Sequence, residues 1–263
     1  MSDSPLKTEI TAEGVAWVTL NRPEVHNAFG DALVKELIAA FDQIKDDDNV
    51  RVVVLASEGK NFSAGADLKD MKAAASFTPE ENKANAMRFS NMLKTMNFMK
   101  KPMIGLIQGA AFGGAVGLTA VCDIVIASER ASFCLSEVKL GIIPAMISPY
   151  VVAAIGAQQA RRYFVTAERF GAEEAKRIGL VHEVVPHEEL RSRCDEMLAI
   201  LLANGPQAMG EAKDLVFAVD GPVTGGVIED TAQRIADRRA SEEGQEGLSA
   251  FLEKRKPNWI AEG

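Results

Sequence analysis

Residues 103–118 read Met-Ile-Gly-Leu-Ile-Gln-Gly-Ala-Ala-Phe-Gly-Gly-Ala-Val-Gly-Leu. The apolar run Met103 to Gln108 has the length and composition of a buried strand. Glycine and alanine then take over, and a helical pattern begins near Gly114 and runs to Cys122. Strand, small-residue loop, helix is therefore the unit, and it recurs on either side. Upstream, Val52 to Leu55 predicts a buried strand closed by Gly59-Lys60-Asn61, followed by the small loop Phe62 to Gly65 and a helix starting near Asp67. Further upstream, Val15 to Asn21 alternates as a strand and Arg22-Pro23-Glu24 breaks it. Asp31 to Ile44 then carries a helical stripe through Leu33, Leu37, Ile38 and Phe41. Pro79 to Lys101 is helical, and its face of Met87, Phe89, Met92, Leu93, Met96 and Met99 suits either plain core or a ligand wall. Downstream, Ile124 to Ala127 and Ser132 to Leu135 predict two more strands. Strands alternating with helices imply an α/β core. After about His187 the strands stop, and helical patterns pass through Leu198, Leu215, Ile228, Ile235 and Phe251, broken at Gly205-Pro206 and Gly221-Pro222. The expected division is an α/β core over residues 1–195 and a helical region over 196–263, with no floppy linker between them.

Composition narrows the classes. The 263 residues carry 29 Lys+Arg against 37 Asp+Glu, a net charge of −8, with 47% hydrophobic residues, as in ordinary soluble domains. An acidic chain has no general attraction for nucleic acid; a polyanion would need a local site. No apolar stretch approaches the roughly 20 residues of a bilayer span. The N-terminus lacks an apolar signal core, so a cytoplasmic location is expected. Cys122, Cys134 and Cys194 include no CxxC pair and suit free thiols in a reducing compartment. His26, His182 and His187 show no metal-binding spacing, so no metal is expected.

Two loops share one design. In Phe62-Ser63-Ala64-Gly65-Ala66-Asp67-Leu68-Lys69, Asp67 followed by Asp70 resembles a helix N-cap with a capping-box partner. In Gly109 to Gly117 the small residues again precede a helix. Small residues leave backbone N–H groups open to a ligand, and two facing loops could offer two donors to one developing oxyanion. A preorganised donor of this kind is worth about 3 kcal/mol in a transition state. Equally, such glycines allow tight turns and close helix–strand packing. Glu137 lies among Leu135, Val138, Leu140 and Ile142, where partial desolvation would raise its pKa toward a useful range for proton transfer. It also suits a first-turn residue after a Ser136 N-cap, or a partner of Lys139. Asp123 suits a buried, hydrogen-bonded structural residue.

Together, FSAGADLKDM, the GAAFGGAVGL…CDIVIA segment and SEVKLGIIP resemble the enoyl-CoA hydratase/isomerase (crotonase) superfamily, in order and at its spacing. The resemblance extends from Asn21-Arg22-Pro23 through GLVHEVVP to Phe251-Leu-Glu-Lys-Arg-Lys-Pro. It implies a spiral of repeated β-β-α turns forming the catalytic core, and a C-terminal helical region that makes a homotrimer or a dimer of trimers. It further implies an acyl-CoA thioester substrate, with CoA part of the substrate and no separate cofactor. By position, the oxyanion donors fall on Ala66 and Gly114, and the retained glutamate is Glu137. CoA contacts fall on Val25, Ala64, Gly65, Ala66, Asp67, Leu68 and Lys69, and on Phe251 and Lys254 from a neighbouring subunit. Lys69, Lys254, Arg255 and Lys256 would form a basic mouth on an acidic particle.

One departure stands out. Hydratases of the two-glutamate type carry their first glutamate where this chain has Gly117. A cavity there is expected to admit a substrate branch or an ordered water, with Met92, Met96 and Tyr150 among the pocket walls. GGAVGL, LSEVKLGIIPAMISPYVV and RRYFVTAERF resemble the methylglutaconyl-CoA and isohexenylglutaconyl-CoA hydratases, which implies a branched, carboxylated enoyl-CoA. Arg88, Lys94 and His26 are candidates for its carboxylate. A Δ3,Δ2-enoyl-CoA isomerase with Glu137 as proton shuttle is the alternative. An inactive CoA-binding homologue and an RNA-binding module are further ones, the last disfavoured by the Asp46-Asp47-Asp48 run.

Overall fold

A computed structural model describes residues 4–260 apart from the Leu68 side chain. The hydrophobic runs assemble into one sheet. β1 (Leu6–Ile10) lies antiparallel to β2 (Val15–Leu20). From β2 the sheet runs in parallel through β3 (Val52–Ser57), β4 (Met103–Ile107), β6 (Ile124–Ser128) and β9 (Glu183–Val185). Parallel strands covered on both faces read as continuous apolar runs, because neither face meets water. In β3, Val53 and Leu55 enter the larger core. Val52 and Val54 enter a smaller one with Ile104, Leu106 and Ile126.

Helices cover the larger core. α1 (Asp31–Asp46) buries Leu33, Leu37, Phe41 and Ile44, spaced to fall on one face. α3 (Pro79–Phe98) starts in a capping box of Thr78 and Glu81 and buries Phe89, Met92, Leu93 and Met96.

A second layer makes the chain spiral. β5 (Ala110–Phe112) pairs in parallel with β7 (Ser132–Cys134), which pairs antiparallel with β8 (Phe170–Gly171). Isolated parallel bridges Phe29–Ala66 and Ser63–Ala111 extend this layer upstream. Each turn thus runs from a main-sheet strand to a second-layer segment and on to a helix. β3 leads through Ser63 to α2 (Leu68–Ala74), and β4 through β5 to α4 (Gly114–Ala120). β6 leads through β7 to a short 3-10 turn at Glu137–Leu140 and then α5 (Ser148–Thr166). These are the repeated β-β-α turns that the resemblance implies. β1, β5, β8 and β9 are short or edge pieces without a strand-length apolar run. α5 likewise carries no plain helical signal, because Pro149 stands at its start and Gly156 (φ +73°) kinks it.

After α6 (Ala172–Arg177), α7 (Leu190–Leu202) packs Leu190, Cys194 and Leu198 on the sheet's smaller core. The division expected after residue 195 therefore falls inside a helix that covers the sheet. α8 (Pro206–Val219), α9 (Gly225–Ala240) and α10 (Glu242–Glu253) pack on one another. They are tied to the core by Lys213 to Asp123 (2.8 Å) and by Arg51, which donates to the carbonyls of Leu202, Asn204 and Trp259.

Candidate functional site

The second layer brings the two small-residue loops side by side. Ser63 N–H donates to Ala110 O (2.9 Å) and Phe112 N–H to Ser63 O (3.0 Å). Gly65, at φ +93°, makes the approach possible: a Cβ there would stand 2.9 Å from Phe112 O. On the other side of the first loop, Phe29 N–H donates to Gly65 O (2.7 Å) and Asp67 N–H to Phe29 O (2.9 Å). The residue between them, Ala66, is exposed. Among the described residues neither the Ala66 N–H nor the Gly114 N–H meets an acceptor. Gly114 opens α4, where helix geometry supplies none.

Gly113 (φ +53°) donates its N–H to Cys134 O (2.8 Å), which fastens this junction to β7. Three residues past β7 comes Glu137. A Cβ on Gly113 would lie 3.3 Å from Glu137 Oε1, so any side chain there would crowd the carboxylate. Glu137 Oε2 is buried with no hydrogen-bond partner. Burial pushes the Glu137 pKa above its ordinary value. Ser136 makes no side-chain cap, and no ion pair joins Glu137 to Lys139 among the described residues. Two free donors and an orphaned, partly desolvated carboxylate thus converge from three successive turns of the spiral. The set can hold a developing oxyanion and move a proton beside it.

The expected cavity at Gly117 is absent. A Cβ at Gly117 would stand 2.7 Å from Ile147 Cβ and nearer still to Cγ2, and Ile147 is only 2% exposed. Ile147 fills the space that a side chain on Gly117 would take. Met92 and Met96 also depart from expectation: both sit in the larger core, not on a pocket wall. Tyr150 is half-buried against that core. The rings next to the donors are Phe29 and Phe89, which sequence reasoning missed as site residues. A Cβ on Gly114 would lie 3.2 Å from Phe89 Cζ and 3.5 Å from Phe29 Cδ2. The only signal was that Phe89 belongs to the α3 stripe.

Ala64 and Lys69 are exposed beside Ala66, and the Leu68 side chain lies outside the described structure. Asp67 caps α2 through Lys69 N–H (3.0 Å) and accepts the Arg22 guanidinium (3.2 Å). Asp70 is not its capping-box partner: it accepts the Asp31 N–H instead and ties α2 to α1. Val25 is exposed on a 3-10 turn, Pro23–Val25, that precedes two left-handed residues, His26 and Asn27. Phe251 is 81% exposed and Lys254 ends α10, a helix that packs on α8 and α9. Of the expected basic mouth, Arg255 is committed to Glu246 (2.6 Å) and Glu253 (2.7 Å). Arg88 pairs with Asp31 and His26 with Asn61, while Lys94 is exposed. Asp123 accepts Met103 N–H and the Lys213 ammonium and so has a structural task. No group of three His, Cys, Asp or Glu side chains suited to a metal occurs among the described residues.

The family model described as enoyl-CoA hydratase/isomerase matches residues 10–262. An enoyl-CoA hydratase structure from Shewanella pealeana superposes with TM-score 0.94 at 44% identity, covering 97% of this chain and 96% of the other. Pseudomonas aeruginosa AtuE gives TM-score 0.94 at 38% identity, covering 98% and 100%. An enoyl-CoA hydratase/isomerase from Marinobacter aquaeolei gives 0.93 at 35%, covering 98% and 99%. With its α/β spiral and C-terminal helices, this chain belongs to the enoyl-CoA hydratase/isomerase family and has the crotonase fold.

Proposed function

We propose that the protein adds water to a conjugated enoyl-CoA thioester with Glu137 as its one carboxylate. The observation that carries this reading is the orphaned Glu137 oxygen beside two unpartnered N–H groups. As water attacks the β-carbon, the double-bond electrons move onto the thioester oxygen, where the Ala66 and Gly114 N–H groups stabilise the enolate. Glu137 takes a proton from the attacking water and returns one to the α-carbon, so the carboxylate is regenerated. The exposed Ala64 to Lys69 segment and Val25 would lie along CoA. Phe251 and Lys254 would reach CoA across a subunit boundary. Their exposure fits that placement, as do exposed apolar residues on α8 to α10 such as Val216, Ile228, Ile235, Leu248 and Leu252. A homotrimer, alone or paired, would cover such residues. The three buried free cysteines fit a reducing cytoplasm.

The preferred substrate is a branched, carboxylated enoyl-CoA such as 3-methylglutaconyl-CoA, on the strength of the motifs around Gly117 and Tyr150. A second reading is favoured by Ile147, which seals the Gly117 position. One carboxylate suffices to carry a proton between the α and γ carbons, which is double-bond isomerisation. Hydration rates on 3-methylglutaconyl-CoA, isohexenylglutaconyl-CoA and crotonyl-CoA, beside isomerisation of a 3-enoyl-CoA, separate the two. Net water addition that is fastest on a carboxylated substrate supports the first. Double-bond migration without hydration establishes the second, and no turnover of any substrate overturns both.

A further inference from the structure

Ala66 and Gly114 reach the site on different turns of the spiral, so something must fix the separation of their N–H groups. One residue lies beside both: Phe29 is bridged to Ala66 and its ring faces Gly114. The Phe29 backbone pairs with the two neighbours of Ala66, taking Asp67 N–H and giving its own N–H to Gly65 O. A parallel bridge of this form turns the Ala66 N–H away from Phe29 and toward the site. The Phe29 ring then extends from the same backbone to Gly114, where two of its atoms would lie 3.5 and 3.6 Å from a Cβ. Phe89 backs that ring edge-on, with centroids 5.9 Å apart, and closes on Gly114 from α3. Both rings are buried. The chain leading into Phe29 is tied to the same loop: Ala64 N–H donates to His26 O and Ser63 Oγ–H to Asn27 O (2.7 Å).

We propose that Phe29 is the positioning residue of the oxyanion site, a rigid spacer whose backbone holds Ala66 and whose ring holds Gly114. The proposal rests on Ala66 and Gly114 being the donors. A rigid aromatic ring suits the task, because it has few rotamers and transmits displacement without yielding. The task assigned to Phe29 is to hold the two donors rather than to contact the thioester. Shortening it would let the α4 junction drift relative to the first loop while both N–H groups remain present.

The test uses Phe29→Leu and the unreactive saturated thioester butyryl-CoA labelled with carbon-13 at its carbonyl. In the wild type, the infrared carbonyl stretch should move to lower wavenumber on binding as the two donors polarise it. In Phe29→Leu that displacement should shrink. The rate kcat should fall roughly 10- to 100-fold, the scale of a misplacement near 1 Å. KM and the affinity for free CoA should change little. Phe89→Leu, at a ring that faces Gly114 without a backbone hydrogen bond to the Ala66 loop among the described residues, should give a smaller loss. If Leu at position 29 does not fold, Phe29→Met supplies the same comparison with a longer apolar chain. A wild-type protein that binds butyryl-CoA with no carbonyl displacement removes the oxyanion reading itself. A normal wild-type displacement that persists in the variant, with full kcat, overturns the role of Phe29 alone.

Discussion

At Glu137 a single side chain carries two opposing demands. Its oxygen Oε2 has no partner and its pKa is raised by burial, which is costly for the fold and useful for proton transfer. Glu137→Gln is predicted to lower kcat by roughly 10²- to 10⁴-fold, the usual reach of a positioned acid–base group. CoA affinity, measured by calorimetry, should stay within a few-fold. A variant with most of its rate intact would take Glu137 out of the mechanism. The same substitution has a stability consequence with a definite sign. Because the folded pKa lies above the unfolded one, the contribution of Glu137 to stability is full below the unfolded pKa and lost as pH rises through the folded pKa. Glu137→Gln should therefore melt at a higher temperature than wild type above that range. Melting curves of the two should converge as pH falls into it.

Two glycines on one helical junction decide how closely neighbouring elements approach. Gly113 and Gly117 stand one turn apart at the start of α4, and the segment after β7 lays the Glu137 carboxylate on the first and Ile147 on the second. A residue with a Cβ at 117 collides with a buried side chain that has nowhere to go. Gly117→Ala is predicted to cost about 1–3 kcal/mol, the range for overpacking a filled core. Ile147→Ala in the same chain should recover part of that loss, which chemical denaturation of both single variants and the double variant would show as a coupling. Additive losses would mean that the two residues do not share the space. By the same geometry Gly117→Glu should destabilise the protein without raising its hydration rate.

At the scale of the molecule, α7 packs on the sheet through apolar side chains, and polar ties fasten the part of the chain that follows it. Arg51, at the entrance to β3, donates to three carbonyls from two places in the C-terminal part: Leu202 (2.8 Å), Asn204 and Trp259 (both 3.0 Å). Trp259 closes over Ala203 through its indole N–H. Arg51→Met keeps the apolar stem and removes the charged donors. It should cost about 1.5–3 kcal/mol, the range for hydrogen bonds to a charged group. Amide exchange should rise first around residues 202–204 and 257–260. Exchange that stays at the wild-type level there would assign the docking of these helices to apolar packing alone.

The chain's pattern of residues determined which segments became buried strands and which loops were small, because burial and backbone clearance are local requirements. Val52 to Leu55, Met103 to Gln108 and Ile124 to Ala127 could only be strands covered on both faces, and Gly65 and Gly113 left room for close backbone approach. The candidate donors and Glu137 were legible for the same reason, helped by their resemblance to a known family. What lies across from a residue is a long-range property, and there the sequence was silent. Nothing in Gly117 says that Ile147, thirty positions on, fills its space; a cavity was the natural expectation until the tertiary contact closed it. Met92 and Met96 likewise have the spacing of either core or pocket wall, and only the packing of α3 turned them inward. Phe29 shows the same divide: its apolar character is local, but its contact with both donors exists only because successive turns of the spiral stack.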